Sequence, residues 1–250
     1  MSSEQSILNT NLPPLAQRMR PQTLSDYMGQ SALTNKGSLL SSALEKNQPF
    51  SMILWGPPGT GKTTLAKIIS RKFEAVYYEL SAVSSGVAKV REILEKGKNA
   101  FEMGKRCILF IDEIHRFNKS QQDALLHAVE NGSIILIGAT TENPSFEVIS
   151  PLLSRCRVLK LNPLTSEELA KILYRAKSED VLLSQQNVKM DVDAESLLLS
   201  SCGGDARKML NTFELAVSLA DGESISDENI SNALQQKHVI YDKAGDYHYD

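Results

Sequence analysis

Leu54-Trp55-Gly56-Pro57-Pro58-Gly59-Thr60-Gly61-Lys62-Thr63 decides how the rest of the chain is read. It ends a short apolar run that starts at Ser51. It also opens Thr63-Thr64-Leu65-Ala66-Lys67-Ile68-Ile69, whose apolar residues recur at helical spacing. A strand, a glycine-rich loop and a helix in that order are the context in which G-x-x-x-x-G-K-[ST] has a physical meaning. Glycines let the backbone curl so that successive N–H groups point inward at phosphate oxygens. The helix starting near Lys62 adds its positive end, Lys62 brings a full charge to the β- and γ-phosphates, and the Thr63 hydroxyl can ligate Mg²⁺. Gly56, Pro57, Pro58, Gly59, Thr60, Gly61, Lys62, Thr63 and Thr64 are therefore the candidate phosphate-binding residues.

Outward from that loop, Val76–Leu80, Cys107–Ile111, Ile134–Gly138 and Val158–Leu161 read as further strands. Helical patterns over Val87–Glu102 and Gln121–Glu130 separate them, the second stopped by Asn131-Gly132. The run from Cys107 to Ile111 is apolar on both faces, as the centre of a parallel sheet requires. The expected fold is a three-layer α/β/α domain with a parallel sheet, spanning 26–162. After Pro163 the strand pattern stops. Thr165-Ser166-Glu167-Glu168 has the form of a capping box and opens a helix towards Glu179. Further helices are expected near Ala194–Ser200, Asp205–Ala220 and Asp227–Gln236, giving a small all-helical domain over 163–238. Residues 1–25, with Pro13, Pro14 and Pro21, read as an extended arm outside the core, and 239–250 as a polar tail.

Ile108-Leu109-Phe110-Ile111-Asp112-Glu113 ends a hydrophobic strand in two carboxylates, at the sheet edge where ligands bind in such folds. Alone, an acidic strand end is as readily a solvated one. About fifty residues after the glycine loop, Asp112 reads as a Mg²⁺ residue and Glu113 as the group that polarises an attacking water. Ile137-Gly138-Ala139-Thr140-Thr141 ends another strand with two hydroxyls, which serve equally well as β-formers or as ligands of the water or γ-phosphate. Arg155, in Ser154-Arg155-Cys156-Arg157, and Arg207, in Gly203-Gly204-Asp205-Ala206-Arg207, are each surface charges or phosphate ligands.

Composition narrows the alternatives. With 27 Lys+Arg against 30 Asp+Glu, the chain has a formal charge of -3, which excludes coating of nucleic acid by bulk charge. Aromatics at 6% argue against an extended base-stacking platform. The mildly basic stretch from Lys89 to Arg106 is interspersed with Glu92, Glu95 and Glu102 and reads first as a solvated face. Cys107, Cys156 and Cys202 lack zinc-ligand spacing and read as small buried hydrophobes. His115, His127, His238 and His248 read as structural. The start has no signal-peptide pattern and no apolar run is long enough to span a bilayer, so the expected location is cytoplasmic, nucleoid-associated, or nuclear in a eukaryote, with no membrane partner.

Taken together these blocks resemble an AAA+ ATPase of the clamp-loader and RuvB-like branch. They resemble still more the RarA/MgsA family of replication-associated recombination proteins. The match is carried by Gly56–Thr63, by Asp112-Glu113-Ile114-His115-Arg116-Phe117-Asn118-Lys119, by Gln121-Gln122-Asp123-Ala124-Leu125-Leu126 and by Gly138-Ala139-Thr140-Thr141-Glu142-Asn143-Pro144-Ser145-Phe146-Glu147. Pro14 to Pro21 and Gly29-Gln30 also fit. The resemblance implies Walker A at Gly56–Thr63, Walker B at Asp112-Glu113 and sensor 1 at Thr141. It implies an arginine finger at Arg155 that acts on a neighbouring protomer, and sensor 2 at Arg207. It also implies that Tyr27-Met28-Gly29-Gln30 lies by the adenine, with Met28 and Gly29 as nucleotide contacts.

By the same resemblance the chain is expected to be a DNA-dependent ATPase using ATP and Mg²⁺ in replication-fork maintenance, recombination and repair. Its expected partners are forked, single-stranded or duplex-end DNA, replication and repair proteins, and copies of itself. Family members continue into a C-terminal domain that drives tetramerisation and contributes to DNA binding, and the 250 residues are expected to lack it. A nucleotide-gated recruitment module with little hydrolysis and a clamp-loader subunit are the alternatives. The intact Asp112-Glu113 pair speaks against the first of these. A P-loop small-molecule kinase would leave Gly-Asp-Ala-Arg and the helical domain unexplained.

Overall fold

A computed structural model describes residues 12–186 and 188–245. The first part of the chain runs α1 (Leu15–Arg18), α2 (Ser31–Thr34), α3 (Leu39–Glu45), β1 (Met52–Trp55), α4 (Lys62–Lys72), β2 (Val76–Ser81), α5 (Val87–Glu102) and β3 (Cys107–Asp112). A 3-10 turn over Ile114–Arg116 leads into α6 (Lys119–Glu130), β4 (Ile135–Thr140), α7 (Pro144–Glu147), α8 (Ser150–Leu153) and β5 (Arg157–Lys160). The remainder is helical: α9 (Ser166–Glu179), α10 (Val192–Ser201), α11 (Ala206–Ala220) and α12 (Asp227–Gly245). Among the described residues the chain divides into two compact units, Pro21–Pro163 and a helical unit made of residues 12–20 with the described residues from Leu164 to Gly245.

The α/β unit is a five-stranded sheet in the order β2-β3-β4-β1-β5, with every pairing parallel. Strand alternation divides its core in two. Ile53, Leu109, Ile111 and Leu136 face α5 and α6, joining Val90, Ile93 and Leu125. Met52, Leu54, Ile108, Phe110 and Ile137 face the other way and pack with Leu65, Ile68 and Ile69 of α4 and with Leu40 and Leu44 of α3. The central strands are apolar on both faces because both faces are covered, as in other parallel sheets. The fold is a parallel α/β domain followed by a small helical domain.

Local sequence sets the helix ends. In α6 the Asn118 side chain accepts from the Gln121 N–H at 2.9 Å, and the Gln121 side chain accepts from the Asn118 N–H at 3.0 Å. Thr165 and Glu168 cap α9 in the same reciprocal way, at 3.2 and 2.9 Å. Two helix ends differ from the sequence reading. Residues 15–18, within the expected arm, form a turn of helix whose Leu15 is fully buried in the helical unit's core with Met19. A four-residue helix is not stable by propensity, so this one forms because its apolar residue is sealed by tertiary contact. Helix α12 continues through Gly245, into the stretch read as a tail. Residues 1–11 of the arm and residues 246–250 of the tail, including His248, lie outside the described residues.

Candidate nucleotide site

The loop after β1 is built by its own backbone. Gly59 and Gly61 have φ of 69° and 94°, in the left-handed region where a side chain is strained. A Cβ on Gly61 would also stand 2.7 Å from the Tyr27 ring. Tyr27 is buried against the loop and its hydroxyl donates to the Thr60 carbonyl at 3.1 Å. Burial drives that phenol's pKa well above its ordinary range, so it remains a donor. The Thr60 hydroxyl donates to the Pro57 carbonyl at 2.9 Å, closing the loop from within. Tyr27, which the resemblance placed by the adenine, supports the loop as well, a role the sequence reading did not give it. It is 33 positions from Thr60 and no local pattern links the two.

Lys62 is only 8% exposed. Its Nζ donates to the carbonyls of Gly56 at 2.7 Å and Pro57 at 2.9 Å. Buried charge of this kind persists only where hydrogen bonds satisfy it, and here the loop's own carbonyls do so. Helix α4 starts at Lys62 with no side-chain cap on its N-terminus. Its first N–H groups and the dipole's positive end therefore meet whatever the loop encloses. Thr63 and Thr64 are half-buried in that first turn.

The sheet order places β4 between β1 and β3. The ends of β1 and β3 therefore lie two strand spacings apart, about 10 Å. The Gly56 N–H donates to the Thr140 carbonyl at 3.1 Å, tying the loop to the end of β4. Asp112 is the last residue of β3 and is half-buried. Glu113 follows in the left-handed region, with φ 54° and ψ 45°, a conformation that costs a non-glycine residue roughly 1 kcal/mol. That turn swings Glu113 off the strand and starts the 3-10 turn.

His115, read from sequence as merely structural, lies in that turn and contacts both neighbouring features. Its Nε2 is 3.2 Å from Glu113 Oε2 and its Nδ1 is 2.9 Å from the Thr140 hydroxyl. Thr140 is fully buried, and its Oγ1 accepts from the Glu142 N–H at 3.0 Å. A lone histidine three residues after the acidic strand end carries no spacing signature, which is why it was passed over. Thr141 follows the strand end and is half-buried.

The remaining predicted residues are more scattered. Arg155 is exposed just after α8; it forms an ion pair with Glu130 and donates to the Pro151 carbonyl at 2.7 Å. Arg207 is exposed in the first turn of α11, in the helical unit, where Asp205 caps the helix by accepting from the Lys208 N–H at 2.8 Å. Met28 and Gly29 are half-buried beside two inward-facing residues, Tyr27 and Gln30. Gln30 exchanges reciprocal hydrogen bonds with the backbone of Asn162, at 2.7 and 2.9 Å. All three cysteines are buried free thiols. Burial pushes Cys107 up to about 11 and Cys156 up to about 12, so neither offers a thiolate at neutral pH.

A nucleoside triphosphate with its cation fits these residues. The loop's backbone is curled by left-handed glycines, with the Tyr27 ring excluding a Cβ at Gly61, and an uncapped helix start follows it. Thr63 and Asp112 supply hard oxygen donors of the kind Mg²⁺ takes. Among the described residues no three His, Cys, Asp or Glu gather as a metal site, so phosphate and water oxygens would complete the coordination. Among the described residues, no helix is long and apolar enough to cross a membrane.

Comparison with known proteins gives a consistent answer. Residues 52–164 match the ATPase family associated with various cellular activities (AAA), and residues 184–250 match the AAA C-terminal domain. The AAA match implies ATP binding. Replication-associated recombination protein A of Escherichia coli K12 is 43% identical over 243 residues, covering 95% of this chain and 54% of that protein. The Haemophilus influenzae protein of the same name is 43% identical over 242 residues, with the same two coverages. The chain thus spans about half the length of the curated relatives it matches. Among solved structures, the Thermotoga maritima RuvB Holliday junction branch migration motor superposes with a TM-score of 0.70 at 28% identity, over 87% of this chain and 72% of that one. The chain belongs to the AAA+ ATPases, as a homologue of the replication-associated recombination proteins A.

Proposed function

We propose that this chain is the Mg²⁺-dependent, DNA-stimulated ATPase portion of a protein that maintains replication forks and acts in recombination and repair. The observation that carries the reading is the pairing of a buried Lys62 inside a self-closed glycine loop with Asp112 and Glu113 at the end of a strand in the same parallel sheet. The name of the relatives, matched over 95% of this chain and 54% of their own length, supports the role in replication and recombination.

In this reading the loop N–H groups from Gly56 to Thr63 cradle the phosphates and Lys62 turns from its carbonyl partners to the β- and γ-phosphates. Thr63 and Asp112 hold the Mg²⁺, which neutralises charge on the β- and γ-oxygens when bound. Glu113 accepts a hydrogen bond from the attacking water and orients it. Thr141 hydrogen-bonds the γ-phosphate or that water. Met28 and Gly29 lie by the adenine, and Arg207 senses the phosphates. Arg155 leaves Glu130 and stabilises charge in a neighbouring copy's site, so assembly gates turnover.

The deciding experiment is phosphate release by the parent chain and by Glu113→Gln, with and without forked or single-stranded DNA, alongside binding of a fluorescent ATP analogue. Glu113→Gln is expected to bind the analogue with parental affinity and to release no phosphate. Parental turnover by that variant would overturn the water-polarising role. Turnover unmoved by any DNA would overturn the DNA-stimulated part.

A further inference from the structure

We infer that His115 is a positioning residue for Glu113, coupling the water-polarising carboxylate to the end of β4 through the buried Thr140 hydroxyl. This inference rests on the reading of Glu113 given above. Its chemistry follows from what each atom can donate. An ionised carboxylate only accepts, so the Nε2 facing Glu113 at 3.2 Å must carry a proton. In the neutral ring that leaves Nδ1 as an acceptor, and the Thr140 hydroxyl at 2.9 Å supplies the donor. The Thr140 oxygen in turn accepts from the Glu142 N–H at 3.0 Å. The Thr140 hydroxyl also lies 3.3 Å from the Glu142 carbonyl, the longer of its two acceptors, so with a neutral ring the donors run Glu142 N–H, Thr140 O–H, His115 Nε2–H, Glu113.

The fold fixes each link. Gly138 and Thr140 lie on the same face of β4 by strand alternation. A Cβ on Gly138 would stand 2.9 Å from Ile114 Cδ1, so the missing side chain is what lets the turn carrying His115 settle on the strand. Ile114 is fully buried there. Glu113 itself leaves β3 in a left-handed conformation and stays about one-third exposed. The His115 contact engages one of the two Glu113 carboxylate oxygens, Oε2. Because Thr141 directly follows Thr140, a contact at Thr141 and the orientation of Glu113 act through one strand end. A displaced catalytic carboxylate loses rate while substrate binding is untouched.

The test uses the 250-residue chain with Mg²⁺ and ATP, with Glu113→Gln as the reference. His115→Leu is expected to lower kcat by about tenfold or more, with KM and analogue affinity within about twofold of parental. His115→Gln, whose amide can both donate and accept, restores most of the rate. Thr140→Val reproduces the loss, Thr140→Ser does not, and the double variant His115→Leu/Thr140→Val is no slower than either single one. Parental kcat in His115→Leu beside an inactive Glu113→Gln overturns the inference and leaves the reading of Glu113 standing. Turnover by Glu113→Gln overturns that reading instead. Imidazole ¹⁵N shifts, assigned against His115→Gln, read the hydrogen bonds without turnover. Nε2 is expected to be protonated, moving on Glu113→Gln, with Nδ1 moving on Thr140→Val, and shifts indifferent to both replacements overturn the inference.

Discussion

Lys62 and Arg155 carry the same charge and occupy opposite situations. Lys62 is buried, and the loop that carries it also supplies the carbonyls that hold its charge. Arg155 is exposed after a four-residue helix and pairs with Glu130, which is itself exposed. A buried cation stripped of partners is strongly destabilising, so its surroundings must be built by the same chain. An exposed ion pair contributes little and opens easily, so the chain leaves Arg155 available to something else. On the proposed reading, the contrast separates a half-site that one polypeptide completes from one that a second copy completes.

The most severe way to break this contrast is Lys62→Ala. It removes the phosphate contact and takes a donor from the Gly56 and Pro57 carbonyls. Analogue binding is expected to vanish in a fluorescence titration while the melting curve stays cooperative. Parental affinity would make the buried lysine a structural plug and nothing more.

Arg155→Ala comes next. Analogue affinity is expected to hold within about twofold while turnover falls by about 10³-fold, the scale of an arginine supplied to a transferring phosphoryl group. Mixing Arg155→Ala with Glu113→Gln is expected to restore part of the rate, because each copy brings the group the other lacks. Turnover independent of protein concentration, with no recovery on mixing, would place Arg155 outside the chemistry.

The helical unit supplies the same contrast in a structural setting. Arg18 donates to both oxygens of Asp180, at 2.7 and 3.0 Å, and to Glu214 at 2.8 Å, and the Asp180 side chain is 1% exposed. Burial pushes the Asp180 carboxyl up, but the bond from Arg18 and the N–H groups of Leu182 and Leu183 outweigh it and leave it below the usual range. A lowered carboxyl stabilises the fold above its unfolded value and loses that contribution as pH falls through its folded value. Arg18→Ala is expected to cost about 3 kcal/mol or more at neutral pH by denaturant melts. The cost is expected to shrink in acid, where the unpaired Asp180 takes up a proton. A pH-independent cost would mean that packing of the arginine stem, and not its charge, holds the N-terminal turn in place.

Legibility in the sequence followed the range of each interaction. The glycine loop, the acidic strand end and the Thr165/Glu168 cap are each set within about eight residues, and the structure places them on a strand–loop–helix, a strand end and a helix start. Tyr27 against Thr60, His115 against Thr140 and Leu15 in the helical core join residues that only the completed fold brings together. The prolines around Leu15 argued for extended chain, and burial of one leucine overrode them. Arg155 and Arg207 read from sequence as either surface charges or phosphate ligands, and only the resemblance gives them roles, since an exposed arginine has no local pattern of its own.

The smallest effect is the sharpest control. Glu92 on α5 accepts from Lys96 at 2.7 Å and Lys89 at 2.9 Å, and those two contacts, Lys96 foremost, hold its carboxyl down at about 2. By distance alone this cluster matches Arg18 with Asp180. By its sign, too, it should help the fold above the ordinary carboxylate range and cease to help as pH falls towards 2. All three side chains are about half exposed, however, so water and salt screen the attraction that the short distances suggest. Glu92→Gln is therefore expected to leave the melting temperature unchanged within error at physiological salt and at every pH above 5. A loss as large as that of Arg18→Ala would show that contact geometry outweighs burial in setting what a charge is worth, and the distinction drawn between Lys62 and Arg155 would fail with it.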